Sequence, residues 1–332
     1  MIMKRYNEHH DLYMDGPLST IISQFLSDMR LSGRKYRAEE YYLRKIDEIA
    51  KNNDCIPNDL SSIVVEKWTE KNECESYKTW ANRVIIIRKL AKYMKAHGFC
   101  AYETPLKIPA KPSTFVPYIF TESELKRIFD ATDNLPSYNN CPHRTAVLSL
   151  LVRLLYGCGL RLSEALNLKM KDVDLQNGVL CILESKFEKS RYVPMSPILT
   201  DRCKKYVQLI RNNADAEDYL LPSPDKGPYS KRAINTSFRQ ILFDANIPYN
   251  GQGPRLHDLR HTFAVNCLKK WVVAGNDINS MLPLLSAYLG HKNLKGTQYY
   301  LRLTADMFPQ ITAAIEKQFG SIVLKEVYDE DL

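Results

Sequence analysis

Apolar positions between residues 17 and 98 recur at steps of three and four, the spacing of one face of an α-helix. Ile21, Ile22, Phe25 and Leu26 mark a first amphipathic stretch, and Tyr41, Leu43, Ile46 and Ile49 mark a second across roughly 32–52. The pattern is clearest over 76–98, where Trp80, Val84, Ile87, Ala91 and Met94 line up and Gly98 is placed to end the helix. The same stretch carries Lys78, Arg83, Arg88, Lys89, Lys92 and Lys95 and no carboxylate. Such a run is either a solvated helix face or a surface for a polyanion.

The pattern breaks at 104–117, where Pro105, Pro109, Pro112 and Pro117 each remove a backbone donor and push their predecessors toward extended conformations. This reads as a stiff linker. Thr121-Glu122-Ser123-Glu124 then supplies a capping box for a new helix. Helices are expected near 121–132, 144–157, 197–212 and 230–245, and another starts near Leu256. Two β-rich runs, 178–183 and 191–194, predict a hairpin with Lys186 and Lys189 near its turn. A last apolar stripe, Phe308, Ile311, Ile315 and Phe319, precedes the acidic Asp329-Glu330-Asp331. The expected class is mainly α with a small antiparallel β-sheet (α+β). The domains are expected at 1–104 (helical), 105–120 (linker), 121–305 (second domain) and 306–332 (C-terminal helix and tail).

Composition narrows the setting. A chain of 332 residues, 45% hydrophobic and 25% charged, is an ordinary globular composition with enough material for two cores. Its net charge of +8 suits a polyanionic partner without requiring one. Eight scattered cysteines with no Cys-x-x-Cys pair argue for free thiols in a reducing compartment over zinc or disulfides. The first residues lack a signal-peptide core and no run reaches membrane-spanning length, so a cytoplasmic protein with no membrane partner is expected.

The candidate chemistry lies in three pieces. Arg161 follows Gly157-Cys158-Gly159-Leu160 at a helix start, where an arginine fork can meet an anion or simply pair with Glu164. His257 and Arg260 stand three apart on one helix face, suited to proton transfer and to a bidentate grip on phosphate. His257 and His261 also have the spacing of half a zinc-protease site, but that motif needs a glutamate where Asp258 stands. A buried, satisfied histidine pair is the plainer alternative. Leu289-Gly290-His291 puts a histidine beyond a glycine turn, and Tyr300 follows nine residues later, beside Tyr299. A phenol of pKa near 10 is a poor nucleophile at neutral pH without a base or a cationic surround. Arg161, Arg260 and the histidines would supply one.

In this order, 155–168, 256–264 and 289–300 resemble the three boxes of the tyrosine recombinase (phage integrase) family, and 185–194 is similar to its lysine-bearing strand turn. The resemblance covers roughly 120–305, and 17–98 looks like the family's N-terminal, SAM-like core-binding domain. It implies that Arg161 and Arg260 bind the scissile phosphate and that Glu164 orients the arginines. Tyr300 attacks to give a 3′-phosphotyrosine, Lys186 protonates the 5′-oxygen, and His257 and His291 assist. It further implies no metal, ATP or other cofactor, because the bond energy stays in the tyrosyl ester. The partners implied are a double-stranded recombination site and further copies of the chain. The chain would be a monomer in solution and a tetramer on DNA, joined through the C-terminal helix. DNA contacts would come from Lys78, Arg83, Arg88, Lys89 and Lys92. Phe187 stands where the family usually has glycine, which makes Lys189 a second candidate for the lysine. The ending 282–291 is similar to recombinases of transposons and other mobile elements. A type IB topoisomerase would use the same chemistry without strand exchange, and a catalytically silent DNA-binding regulator would keep only the binding.

Overall fold

A computed structural model of the chain describes residues 14–34, 36–108, 116–136, 141–183, 190–249, 253–291 and 293–307. The chain separates into two compact units, Met1–Lys111 and Pro112–Leu332. Among the described residues the structure is mainly helical with one small antiparallel sheet, as expected. Among the described residues no helix is long and apolar enough to cross a membrane.

Among its described residues the first unit packs four helices, α1 (Ser19–Leu31), α2 (Arg37–Lys51), α3 (Ser62–Thr69) and α4 (Tyr77–Ala96). Its core collects the apolar faces read from the sequence, among them Ile21, Ile22, Phe25, Leu43, Ile46, Ile87 and Met94, together with Val64, Val65 and Trp68 of α3. Ser76 caps the start of α4 through the Thr79 amide. At its far end Gly98 takes a φ of 80°, its amide bonds Lys95 and the Phe99 amide bonds Met94. This paired closure satisfies carbonyls the helix cannot satisfy itself. The cationic residues of α4 do not share one environment. Lys78, Lys89 and Lys92 are exposed and Arg88 is half-buried. Lys92 also lies 3.8 Å from Glu103. Arg83 is different. Its side chain is buried, pairs with Glu75 at 3.2 Å, donates to the carbonyls of Trp68 and Glu70, and lies over the Trp68 ring. The expectation of a DNA-facing Arg83 is therefore corrected, because its charge is consumed inside the unit.

In the second unit, α5 (Glu122–Asp133), α6 (Arg144–Gly157), α8 (Pro197–Ile210) and α9 (Lys231–Asp244) surround one core with Leu180, Ile182 and Val193 of the sheet. The Thr121–Glu124 capping box forms at the start of α5. The sheet runs β1 (Val173–Asp174), β2 (Val179–Leu183), β3 (Ser190–Pro194), all antiparallel, with Cys181 opposite Tyr192 and Leu183 opposite Ser190. The hairpin is the expected one, and β1 is an additional edge strand too short to leave an alternation in the sequence. A second core joins α10 (Leu256–Val273), α11 (Ile278–Leu289) and α12 (Lys295–Met307) through Val265, Leu268, Leu282, Leu285, Leu301 and Leu303. The short α7 (Leu162–Leu166) lies between α6 and the sheet in chain order. Lys186 and Lys189, the linker prolines Pro109 and Pro112, and the stripe Phe308, Ile311, Ile315 and Phe319 lie outside the described residues.

Candidate active site

The site is organised by the C-terminal end of α11. A helix leaves its last four carbonyls without intrahelical partners. Here Gly290 adopts a φ of 67°, which brings its amide onto Ala287 and the His291 amide onto Ser286. Two carbonyls are thereby satisfied, and glycine is required because a side chain strains in that conformation. The next three carbonyls each accept from a different arginine. Arg191 Nε donates to Tyr288 at 2.8 Å, Arg260 Nη2 to Leu289 at 2.6 Å, and Arg161 Nη2 to Gly290 at 2.7 Å. The negative end of the helix dipole favours cations at this position. Three guanidinium groups from three distant segments are thus gathered at one point.

Glu164 links two of them. Its carboxylate accepts from Arg161 Nη1 at 2.7 Å and from both terminal nitrogens of Arg191, at 3.1 and 2.8 Å. It also accepts the Arg161 amide and so caps α7. Burial opposes its ionisation, but Arg191 and Arg161 outweigh burial and hold its carboxyl below the usual carboxylate range. Asp258 does a similar local job for α10. It is buried, caps the helix through the Arg255 amide at 2.7 Å and pairs with the Arg255 side chain at 3.4 Å.

Arg260 is 2% exposed. Besides Leu289 it donates to the Gly159 carbonyl at 2.7 Å. Gly159 has a φ of 57°, and a Cβ there would come within 2.5 Å of Phe263, so the glycine brings the backbone close enough for this bond. Its distance to Glu164 is 3.9 Å, longer than any of its hydrogen bonds. Burial, then the like charge of Arg161, lowers its pKa to about 10. It stays fully charged at neutral pH.

Tyr300 and Tyr299 separate clearly. Tyr299 is 38% exposed, whereas Tyr300 is 3% exposed and packs into the core of α10, α11 and α12. The Tyr300 hydroxyl lies 3.0 Å from His261 Nδ1 and is hydrogen-bonded to Arg260. Burial raises its pKa, while Arg260 and Arg161 pull against that rise. His291 stacks its ring on Tyr300 at 6.0 Å and 18°, and its Nδ1 meets Thr297 Oγ1 at 2.8 Å. His257 is an exposed residue, although protein atoms crowd its ring, and that ring meets the ring of His261 at 4.6 Å. Burial and then the nearby positive groups depress all three histidines, to about 4 for His257 and about 3 for His261 and His291. All are neutral at pH 7. The two α10 histidines meet ring edge to ring face, an arrangement unlike converging metal ligands.

The structure therefore brings together Arg161, Glu164, His257, Arg260, His291 and Tyr300. Lys186 lies outside the described residues, and Lys78, Arg88, Lys89 and Lys92 belong to the other unit. Sequence reasoning did not single out Arg191 or Thr297, nor His261 as the partner of the phenol. Arg191 had a signal: it is an arginine at the start of the 191–194 β-run. Thr297 had another, since it stands three residues before Tyr300 on a helix face.

Residues 119–307 match the phage integrase family. Protein y4rB of Sinorhizobium fredii, an integrase/recombinase by name, is 30% identical over 305 residues, which span 90% of this chain and 96% of the relative. Tyrosine recombinase XerA of Pyrococcus horikoshii is 28% identical over 90% of this chain and 93% of its own length. The fold is shared with the XerH site-specific recombinase bound to palindromic difH substrate, with a TM-score of 0.60 and 19% identity over 83% of this chain and 78% of XerH. The Arg–Glu–His–Tyr constellation stands inside the matched segment, and so this chain belongs to the phage integrase family and is a tyrosine-type site-specific recombinase, an enzyme that cleaves and rejoins DNA strands.

Proposed function

We propose that Tyr300 is the nucleophile and that the second unit is the catalytic domain, with the first unit acting as the domain that grips duplex DNA. The observation that carries this reading is the placement of the Tyr300 hydroxyl. It lies buried against His261 and Arg260, while Tyr299 faces solvent. A guanidinium has five N–H donors, so Arg260, which donates to two carbonyls and the Tyr300 hydroxyl, can still grip a phosphate. Arg260 and Arg161 stabilise the charge that builds on the non-bridging oxygens, which is the large electrostatic part of such catalysis. Glu164 keeps Arg161 in register. The phenol oxygen forms a bond to phosphorus, the bond to the 5′-oxygen breaks, and Lys186 protonates that leaving oxygen. A 3′-phosphotyrosine results, and attack by a partner strand's 5′-hydroxyl reverses it. His257 and His291 assist proton movement and phosphate contact.

The substrate is a duplex site of two inverted half-sites, exchanged during integration or excision of a mobile element. Solved relatives support a DNA partner, since lambda integrase has been crystallised as a dimer on a COC′ core site; it shares this fold with a TM-score of 0.54 and 16% identity. Contacts to phosphates come from Lys78, Arg88, Lys89 and Lys92, which makes affinity salt-dependent. The working assembly is a tetramer on DNA formed from monomers, joined through the stripe Phe308, Ile311, Ile315 and Phe319. Sedimentation with and without the site measures that step.

The deciding experiment uses a nicked duplex of a site that the protein selects from a randomised pool. Wild type and Tyr299→Phe should form a protein–DNA adduct that survives denaturant, and Tyr300→Phe should form none. An adduct with Tyr300→Phe would remove Tyr300 from the role.

A further inference from the structure

We propose that His261 is the proton acceptor for the Tyr300 hydroxyl, and that the histidine pair His257–His261 divides the work by position: His261 serves the nucleophile and His257 the phosphate side. This rests on Tyr300 being the nucleophile. The two histidines lie one turn apart on α10, yet they face different things. His261 Nδ1 is 3.0 Å from the phenol oxygen, which is general-base distance. Its ring is tilted 53° from that of Tyr300, with centroids 5.5 Å apart, so the contact is made by the nitrogen and not by ring stacking. His291 is also against Tyr300, but face to face, and its Nδ1 is engaged with Thr297. It supports the phenol ring, not the oxygen. His257 is exposed, so it can meet an incoming phosphate.

The chemistry requires such a group. Tyr300 is buried and its pKa is raised, so the phenol keeps its proton until something removes it. His261 is neutral at pH 7, with its pKa held at about 3 by burial, His257, Arg255, Arg260 and His291. With its proton on Nε2, its Nδ1 presents a lone pair to the phenol oxygen 3.0 Å away. A docked phosphate brings negative charge to the same arginines, offsets their repulsion of an imidazolium and raises the basicity of His261 as the substrate arrives. In the forward step the Tyr300 proton passes to His261 Nδ1, the phenol oxygen pair forms the bond to phosphorus, and the pair of the broken P–O bond leaves on the 5′-oxygen, which takes a proton from the leaving-group acid. In the reverse step the 5′-oxygen attacks, the tyrosyl P–O bond breaks and His261 returns the proton to Tyr300.

The test is single-turnover cleavage by the full chain on the selected nicked duplex, made with oxygen and, separately, with sulfur at the bridging 5′ position. A sulfur leaving group needs no proton, so it rescues loss of the leaving-group acid but not loss of the base at the nucleophile. His261→Ala should cleave about 10²-fold more slowly on both duplexes, with DNA affinity within about twofold of wild type and partial recovery in added imidazole. His261→Asn keeps an acceptor near the Nδ1 position without basicity, and it should be slow as well. Lys186→Ala should recover on sulfur. A His261→Asn rate within about threefold of wild type, or recovery of His261→Ala on sulfur, would overturn the assignment. If Tyr300→Phe still forms the adduct, the underlying choice of nucleophile fails instead, so the two outcomes are separable.

Discussion

Each unit of this recombinase buries one arginine among the described residues, Arg83 in the first and Arg260 in the second, and their partners differ. Burying a charge is costly unless something compensates it. Arg83 is compensated by its own unit: a carboxylate at 3.2 Å, two carbonyls and the face of Trp68. Arg260 is held by two carbonyls and the Tyr300 hydroxyl, with Glu164 no closer than 3.9 Å. Neutral acceptors fix the direction of a guanidinium without cancelling its charge. One arginine is architecture. The other is aimed and still positive, as its proposed role toward a phosphodiester requires.

The largest effect is expected at Arg260. Arg260→Lys should keep the fold but lose the fork, and adduct formation should fall about 10²–10³-fold, the size expected for one preorganised donor to a transition-state oxyanion. Arg83→Met should do the reverse. It strands Glu75, lowers unfolding stability by about 3 kcal/mol and leaves cleavage per folded molecule unchanged. Denaturant titration alongside single-turnover cleavage separates the two, and matching losses in both assays for either variant would end the distinction.

Glu164→Gln should have a smaller effect. It weakens the hold on Arg161 and Arg191 while their carbonyl bonds to α11 remain, so cleavage should drop about tenfold with DNA affinity nearly unchanged. A drop as large as that of Arg260→Lys would mean that the carboxylate, not the helix end, sets the arginines.

Acid should then weaken the second unit selectively. His257, His261 and His291 have folded pKa values of about 4, 3 and 3, below the ordinary 6.5. Between those limits the unfolded chain takes up protons that the folded one refuses, so stability is full above about pH 6.5 and falls as pH drops. Glu164 adds to the loss at lower pH, because its depressed pKa gives stability above the ordinary carboxylate value that disappears on protonation. Thermal melts from pH 7.5 to about 5 should show Tm declining, and substituting His291 by Asn should flatten the slope.

The smallest effects belong to the exposed lysines. Lys89→Ala should weaken DNA binding evenly across sequences and reduce the slope of log affinity against log salt by about 0.9, the loss of one phosphate contact. Arg83→Met should leave that slope alone.

Arg83 also shows how far residue pattern can be read. The repeat that places Trp80 and Ile87 on the core face passes through position 83, three residues from one and four from the other. Periodicity therefore pointed inward, and charge alone suggested the outside. The motif residues of the second unit were legible because each sits in a local device: a glycine turn before Arg161, one turn of helix from His257 to Arg260, and a glycine stop before His291. What gathers them was not legible. It is a set of backbone carbonyls at Tyr288, Leu289 and Gly290, and a carbonyl has no letter of its own in the sequence.

The sequence by itself determined most of the longer helices, the paired β-runs and the identity of most groups that can do the chemistry, since helix periodicity, glycine conformations and side-chain reactivity are local properties. Tertiary structure decided which groups meet. It buried Tyr300 and left its neighbour Tyr299 in solvent, although the two are adjacent in the chain, because one side of α12 packs on α10 and the other does not. It also recruited Arg191 and set His261 against the phenol, since the distance between groups 39 residues apart depends on how helices pack.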